Sequence, residues 1–227
     1  MTSKLAILAS EIEKCELCPR LRKHCTEVAR LKRRAYRDWE YWGKPVPAFG
    51  DPKAEVLVLG LAPGAHGANR TGRMFTGDKS GEFLYRALFE TGFASQAESN
   101  SKNDKLKLTN MYITASARCA PPDNKPLPEE LRNCRPYFER ELALLPRVKV
   151  VVTLGKLAFD TYLSVLKDQG VIKSRAAFEF GHNRVIDLGA GLPKLVSSYH
   201  PSQQNTSTGK LTREMLRDVF ETARTLL

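Results

Sequence analysis

The chain has 227 residues and a formal net charge of +11, with a pI near 9.5; it is long enough for one good core and lies just above the usual range of a single domain. It has no run of 18 apolar residues, and its charged N-terminus, MTSKLAILASEIEK, lacks a small-residue cleavage site. A membrane span and a signal peptide are therefore not indicated, and a cytoplasmic, nucleoid-associated protein is expected. Much of the excess charge falls on Arg20, Arg22, Lys23, Arg30, Lys32, Arg33, Arg34 and Arg37, which points to a polyanionic partner or, more blandly, to a solvated basic face.

The predicted elements begin with a helix over residues 4–14. The basic stretch after it carries Tyr36, Trp39, Tyr41 and Trp42, aromatics that either stack nucleobases beside the cations or anchor the core. The apolar run EVLVLGL (55–61) reads as a buried strand, and helical spacing follows at Phe83, Leu84, Ala87 and Leu88. Residues 92–105 are polar and weakly patterned, which predicts a surface connection. NMYITAS (110–116), KVVVTLG (149–155) and KLVSSYH (194–200) read as three more strands. Between them lie helical stripes at Leu131, Cys134, Phe138, Leu142 and Leu145, then at Leu157, Ala158, Thr161, Tyr162 and Val165. Alternation around 181–183 predicts a hairpin within 176–189, and a last helix after Gly209 buries Leu211, Met215, Val219, Ala223 and Leu226. This order implies an α/β fold: a three-layer α/β/α sandwich with a central four-stranded, mainly parallel sheet. One domain is expected over 1–227, with the cysteine-bearing segment of about 1–50 packed onto it. Ligands bind beyond the carboxyl ends of such strands, so the loops after 61, 116, 155 and 200 should form the site.

Five cysteines stand at 15, 18, 25, 119 and 134, the first two as C-E-L-C-P. In a cytoplasmic chain this argues for metal before disulfide. Cys15, Cys18, Cys119 and Cys134 form the preferred ligand set, with Cys25 left as a small buried residue. Spacing alone accepts zinc and iron-sulfur equally. A local zinc site using His24 or Cys25 with the first pair, and five unconnected core cysteines, are the remaining alternatives.

Three loops carry candidate chemistry. GLAPGAHGANRTGRMFTGD (60–78) is rich in glycine, which lets backbone approach a ligand closely. It is neither a dinucleotide fingerprint nor a phosphate loop, since Asp78 intervenes between Gly77 and Lys79-Ser80. RCAPPDNKP (118–126) is a rigid loop offering Asn124, and HPSQQN (200–205) presents His200 at a strand's carboxyl end.

Together G-L-A-P-G after the first strand, R-C-A-P-P-D-N-K-P in the middle and H-P-S at the last strand resemble the uracil-DNA glycosylase superfamily over nearly the whole chain. The four-cysteine pattern is similar to families four and five of that group, and the resemblance implies a 4Fe-4S cluster. An acidic residue usual in the first loop is replaced by Ala65 or Ala68, and an asparagine usual on the second strand reads Ala115. Both losses resemble family five and its broader base range. What the resemblance implies is a monomeric, monofunctional hydrolase of N-glycosyl bonds that initiates base excision repair on DNA containing uracil or other deaminated bases. The base is turned out of the duplex into the pocket. It stacks on Phe75, unless that ring is ordinary core, with the backbone of Gly64 and Ala65 at its edge and Asn124 nearby. His200 donates a hydrogen bond to the base carbonyl as charge builds. Asp78 and Asn205 are the candidates to position or activate water, the alternative for Asp78 being a helix cap. Ser202, Gln203 and Gln204 enter the minor groove, and Lys210 and Arg213 contact phosphates; a polar turn is the bland alternative. The rival class is a non-catalytic or redox-sensing iron-sulfur DNA-binding protein, with a nucleotide-binding α/β enzyme further off.

Overall fold

In chain order the computed structural model, which describes residues 3–227, runs α1 (Lys4–Glu13), α2 (Pro19–Leu31), β1 (Phe49–Gly50), β2 (Val56–Gly60), α3 (Ala68–Thr71), α4 (Lys79–Glu90), β3 (Met111–Ala115) and α5 (Pro128–Leu144). It continues with β4 (Val150–Leu154), α6 (Lys156–Asp168), β5 (Arg184–Ile186), β6 (Lys194–Ser198), α7 (Gln203–Ser207) and α8 (Arg213–Thr225). The four apolar runs form four neighbouring parallel strands in the order β3-β2-β4-β6. Every residue of β2, β3 and β4 is buried, which is why these strands read as unbroken apolar runs rather than alternating ones.

The sheet has six strands rather than four. β1 and β5 add antiparallel edges to β3 and β6, and at two and three residues they are too short to leave a periodic signal. The expected hairpin does not form, because β5 pairs with β6. Before it, Phe180 packs against Phe159 and Tyr199, and Ser197 Oγ donates to the Gly181 carbonyl at 2.6 Å. The alternation in AFEFGHNRV thus marks a segment folded onto the sheet's flank.

One face of the sheet is covered by α4 and α8 through Leu84, Leu88, Val219 and Phe220. The other is covered by α5 and α6 through Phe138, Phe159 and Tyr162. Beside them a small third cluster gathers Cys18, Leu21, Cys25, Cys119 and Ala120, with Ala65 against it. α2 is absent from the expected elements: charge density hides its short inward stripe, Leu21 and Cys25. Arg20 of α2 forms a two-pronged pair with Glu130 of α5 at 2.7 and 2.8 Å, which docks the N-terminal segment on the rest. Residues 92–105 are tied down, since Asp104 takes both Nη atoms of Arg73 at 2.7 Å. From β2 the chain crosses to β3 on one side and returns to β4 on the other. The strand order therefore reverses beside β2, and a crevice opens at its carboxyl end.

Candidate active site

That crevice is a cleft of about 920 Å³. Leu61 to Gly67, Met74, Phe75, Gly77 and Asp78 wall it from the loop after β2, Lys79, Ser80 and Glu82 from the start of α4, Asp123 and Asn124 from the loop after β3, and His200 with Ser202, Gln203 and Gln204 from the loop after β6; Arg33 and Tyr36 complete its rim.

Phe75 stands at the floor in a left-handed conformation, φ +51°, unusual for a bulky residue. Its ring lies so close to Gly60 that a Cβ there would meet ring carbon Cζ at 2.7 Å. Its neighbours are locked. Tyr85 Oη donates to the Met74 carbonyl at 2.9 Å, and Thr76 Oγ1 sits between Arg73 Nε at 2.9 Å and Ser99 Oγ at 2.7 Å. The His200 ring faces Phe75 with 6.2 Å between centroids. Burial holds the imidazolium down at about 4, so the ring is neutral at pH 7. The loop behind it is fixed by Asn205, whose Nδ2 donates to the His200 carbonyl at 2.8 Å.

Asp78 joins two roles. As N-cap of α4 it accepts the Gly81 N–H at 2.9 Å through Oδ1. Its other oxygen lies beneath the glycine-rich loop, where a Cβ at Gly67 would fall 1.9 Å away and one at Gly64 2.7 Å. Burial raises this carboxyl, opposed by the Gly81 and Ser80 N–H groups and by the Arg70 charge. Gly77 and Asp78 form no phosphate loop: the Gly77 N–H is already donated to the Ser99 carbonyl at 3.0 Å, and its carbonyl accepts from Arg70 Nη2 at 2.6 Å.

Of the expected site residues, His200, Asp78, Gly64, Ala65, Phe75, Asn124, Ser202, Gln203 and Gln204 line one cleft. Asn205 lies outside the lining, with its amide spent on the His200 carbonyl. Asn124 holds φ +56° on the rim. Ser202 caps α7, accepting the Asn205 N–H at 3.4 Å. Lys210 rests over the Tyr199 ring, 5.1 Å from its centroid, and Arg213 is exposed at the start of α8. Ala65 faces the cleft, whereas Ala68 and Ala115 are buried in the core. Sequence reasoning missed His66, whose Nδ1 meets Tyr41 Oη at 3.1 Å beside the cleft, and the buried Arg70 and Arg73. Only the glycine spacing around them hinted that this loop folds inward.

The four candidate ligands come from three places: the α1–α2 turn, the loop after β3 and α5. Cys18, Cys119 and Cys134 are buried and Cys15 half-buried, all as free thiols. Burial pushes Cys18 up, and the neighbouring Cys119 and Cys15 push it further. Cys134 is pushed up to about 12 by burial, again with Cys119 and Cys18 adding to it. Cys25 is wholly buried, its thiol 3.5 Å from the Ala120 carbonyl. Among the described residues no three ligating side chains close on a point that one ion would occupy. Cys18 feels Cys15 and Cys119, and Cys134 feels Cys18 and Cys119, each disfavouring the other's thiolate form, so the four side chains nevertheless form a donor set that a cationic centre would stabilise as thiolates. The residues present therefore fit a four-thiolate group.

A mainly parallel sheet with a crevice at its strand reversal, walled by glycine-rich and His-Pro loops, defines a doubly covered α/β domain with a ligand cleft at its switch point. Residues 47–224 match the family described as the uracil DNA glycosylase superfamily, and the chain belongs to it. Similarity runs chiefly to the type-5 members. The type-5 uracil-DNA glycosylase of Thermus thermophilus is 51% identical over 93% of both chains. That of Mycobacterium bovis is 47% identical over 95% of this chain and 79% of its own, and that of Pyrobaculum aerophilum 44% over 92% and 87%. Type-4 uracil-DNA glycosylases match at 27–31% identity over shorter stretches.

Proposed function

We propose that the protein is a type-5 uracil-DNA glycosylase that hydrolyses the N-glycosidic bond of uracil, and of other deaminated bases, in DNA. The observation that carries this is the placement of His200 and Asp78 in one cleft around the Phe75 ring, in a chain of this superfamily. The base, turned out of the duplex, stacks on Phe75 with its edge toward the backbone of Gly64 and Ala65. As the bond to C1′ breaks, the electron pair leaves with the base and charge gathers on its carbonyl. The neutral His200 ring donates a hydrogen bond there, a contact stronger in the transition state than before it. Asp78 orients water and takes its proton as the oxygen bonds to C1′, while DNA phosphates help stabilise the cationic sugar. Asn205 serves this step through the His200 backbone. Gln203 and Gln204 fill the space the base vacates, and Lys210 and Arg213 hold phosphates. A buried alanine at 115 offers the base no side-chain amide, which supports a broad base range. The cleft is complete within one chain, which supports a monomer acting on nucleoid DNA in the cytoplasm. Cys15, Cys18, Cys119 and Cys134 would hold the 4Fe-4S cluster, which supplies a structural tie between the N-terminal segment and the loop bearing Asn124.

Incubation with uracil-containing duplex, then alkali, tests the reading. Free uracil and strand scission at the uracil position are expected, with hypoxanthine also released. Binding without scission would leave a DNA-binding protein and overturn it.

A further inference from the structure

Between α2 and β1 the chain passes over the cleft rim as a strap, residues 32–40, nearly all of it exposed. It carries Lys32, Arg33, Arg34 and Arg37 against Asp38 and Glu40. Lys32 Nζ donates to the Arg37 carbonyl at 3.1 Å. Among the described residues Arg33, Arg34 and Arg37 make no ion pair. The strap's large rings are Tyr36 and Trp39, and both rest on one group. The Arg70 guanidinium carbon lies 3.9 Å from the Tyr36 ring centre and 4.1 Å from that of Trp39.

Arg70 is itself buried, 3% exposed. Its Nε donates to the His66 carbonyl at 2.8 Å and its Nη2 to that of Gly77, but Nη1 has no hydrogen-bond partner. The other two buried arginines each face a carboxylate, Arg73 with Asp104 and Arg118 with Glu141. Arg70 makes no such ion pair; carbonyls, two aromatic faces and the field of the nearby Asp78 carboxyl offset its charge. Burying a cation without a directly paired carboxylate is costly, and a planar guanidinium is the one cation that stacks on two rings while bonding in its own plane. What this arrangement achieves is to fix a strap bearing three arginines without ion pairs beside the cleft, whose lining Arg33 and Tyr36 join. With one face of each ring taken up by Arg70, Tyr36 and Trp39 act as anchors rather than as platforms for bases.

We propose that the strap Arg33–Trp39 is an arm that grips the phosphodiester backbone of the DNA strand entering the cleft, and that Arg70 is the positioning residue that fixes it there. This rests on the glycosylase reading and adds a grip separate from Lys210 and Arg213.

Binding to a duplex carrying 2′-fluorinated deoxyuridine, which resists excision, is measured by anisotropy across a salt series. Each phosphate contact contributes about 0.9 to the slope of log affinity against log salt. The triple variant Arg33→Ala, Arg34→Ala, Arg37→Ala should therefore lose about 2 to 3 from that slope. Arg70→Gln should lower the slope comparably, although Arg70 reaches no phosphate, and should open a tryptic cut within residues 32–40. Arg70→Lys should fall between. A triple variant with the wild-type slope overturns the arm; Arg70→Gln with wild-type slope and digestion pattern overturns the clamp. If Arg70→Gln fails to fold, the triple variant, confined to exposed side chains, decides alone. Failure of the wild type to release uracil from ordinary duplex would sink the glycosylase reading instead, and leaves the slope comparison standing.

Discussion

In the proposed reaction two side chains divide the chemistry, and each has its own signature. His200 is held neutral by burial, at about 4, so excision should show no histidine limb between pH 6 and 7 and should fall only as pH approaches 4. The same depression acts on folding. The unfolded histidine, with an ordinary value near 6.5, binds its proton first, so stability declines as pH drops from about 6.5 toward 4. His200→Ala should lower single-turnover excision by about 100-fold or more with DNA affinity nearly intact; unchanged excision would remove it from the reaction. Asp78 needs a paired test because it also caps α4. Asp78→Asn keeps a capping oxygen, whereas Asp78→Ala also loses about 1 kcal/mol of helix stability. Both should lose excision, and only the alanine variant should melt earlier. Gly67→Ala places its methyl on the Asp78 carboxylate and should reproduce the loss of excision; normal rates in Gly67→Ala would show that the carboxylate's position is unimportant.

At the level of elements, the segment joining α4 to β3 is a buttress for the substrate loop. Asp104 accepts both prongs of Arg73 and also the N–H groups of Asn100, Ser101 and Leu106. Although burial opposes it, these bonds hold its carboxyl at about 2. The pair's stabilisation is therefore present above about pH 4 and lost as pH falls toward 2. Asp104→Ala leaves Arg73, 4% exposed, as an uncompensated charge and should cost about 3 kcal/mol or more. A melting temperature within a degree of wild type would refute that ledger. Because Arg73 and Thr76 flank the left-handed Phe75, excision should fall as well. None of this was legible in a stretch as polar as residues 92–105, since a buried acid and a surface acid look alike in one dimension. The four parallel strands were legible because burial on both faces makes each a continuous apolar run. β1, β5 and α2 were not, being too short or too charged to show a period. His200, Asp78 and Phe75 could be nominated because glycine and proline mark the loops at strand ends. Arg70 could not, and Asn205 was nominated for water rather than for its bond to the His200 carbonyl, because contacts with main-chain carbonyls are not matters of residue type.

Across the whole molecule, the cysteine neighbourhood ties α1 and α2 to α5 and to two of the loops that line the cleft. Asn69, wholly buried, is one of the ties: its Nδ2 donates to the Cys25 carbonyl at 3.4 Å and to the Ala65 carbonyl at 3.3 Å. Oxidation and chelation, which would remove the proposed cluster, should therefore expose protease sites before residue 50 and abolish excision, while the far-UV spectrum of the sheet domain persists. Unchanged digestion would show that the four thiols do not hold the N-terminal segment in place. The partners of that segment also fix a timetable. Arg20 meets Glu130, 110 positions on, and Asn133 lies 3.5 Å from the Cys18 sulfur. During synthesis at 5–20 residues per second, the basic helix α2 waits roughly 10 s for the acid that pairs with its Arg20. A nascent chain thus leaves the ribosome with its charge and thiols uncovered, and α5 is the element whose arrival ends that exposure.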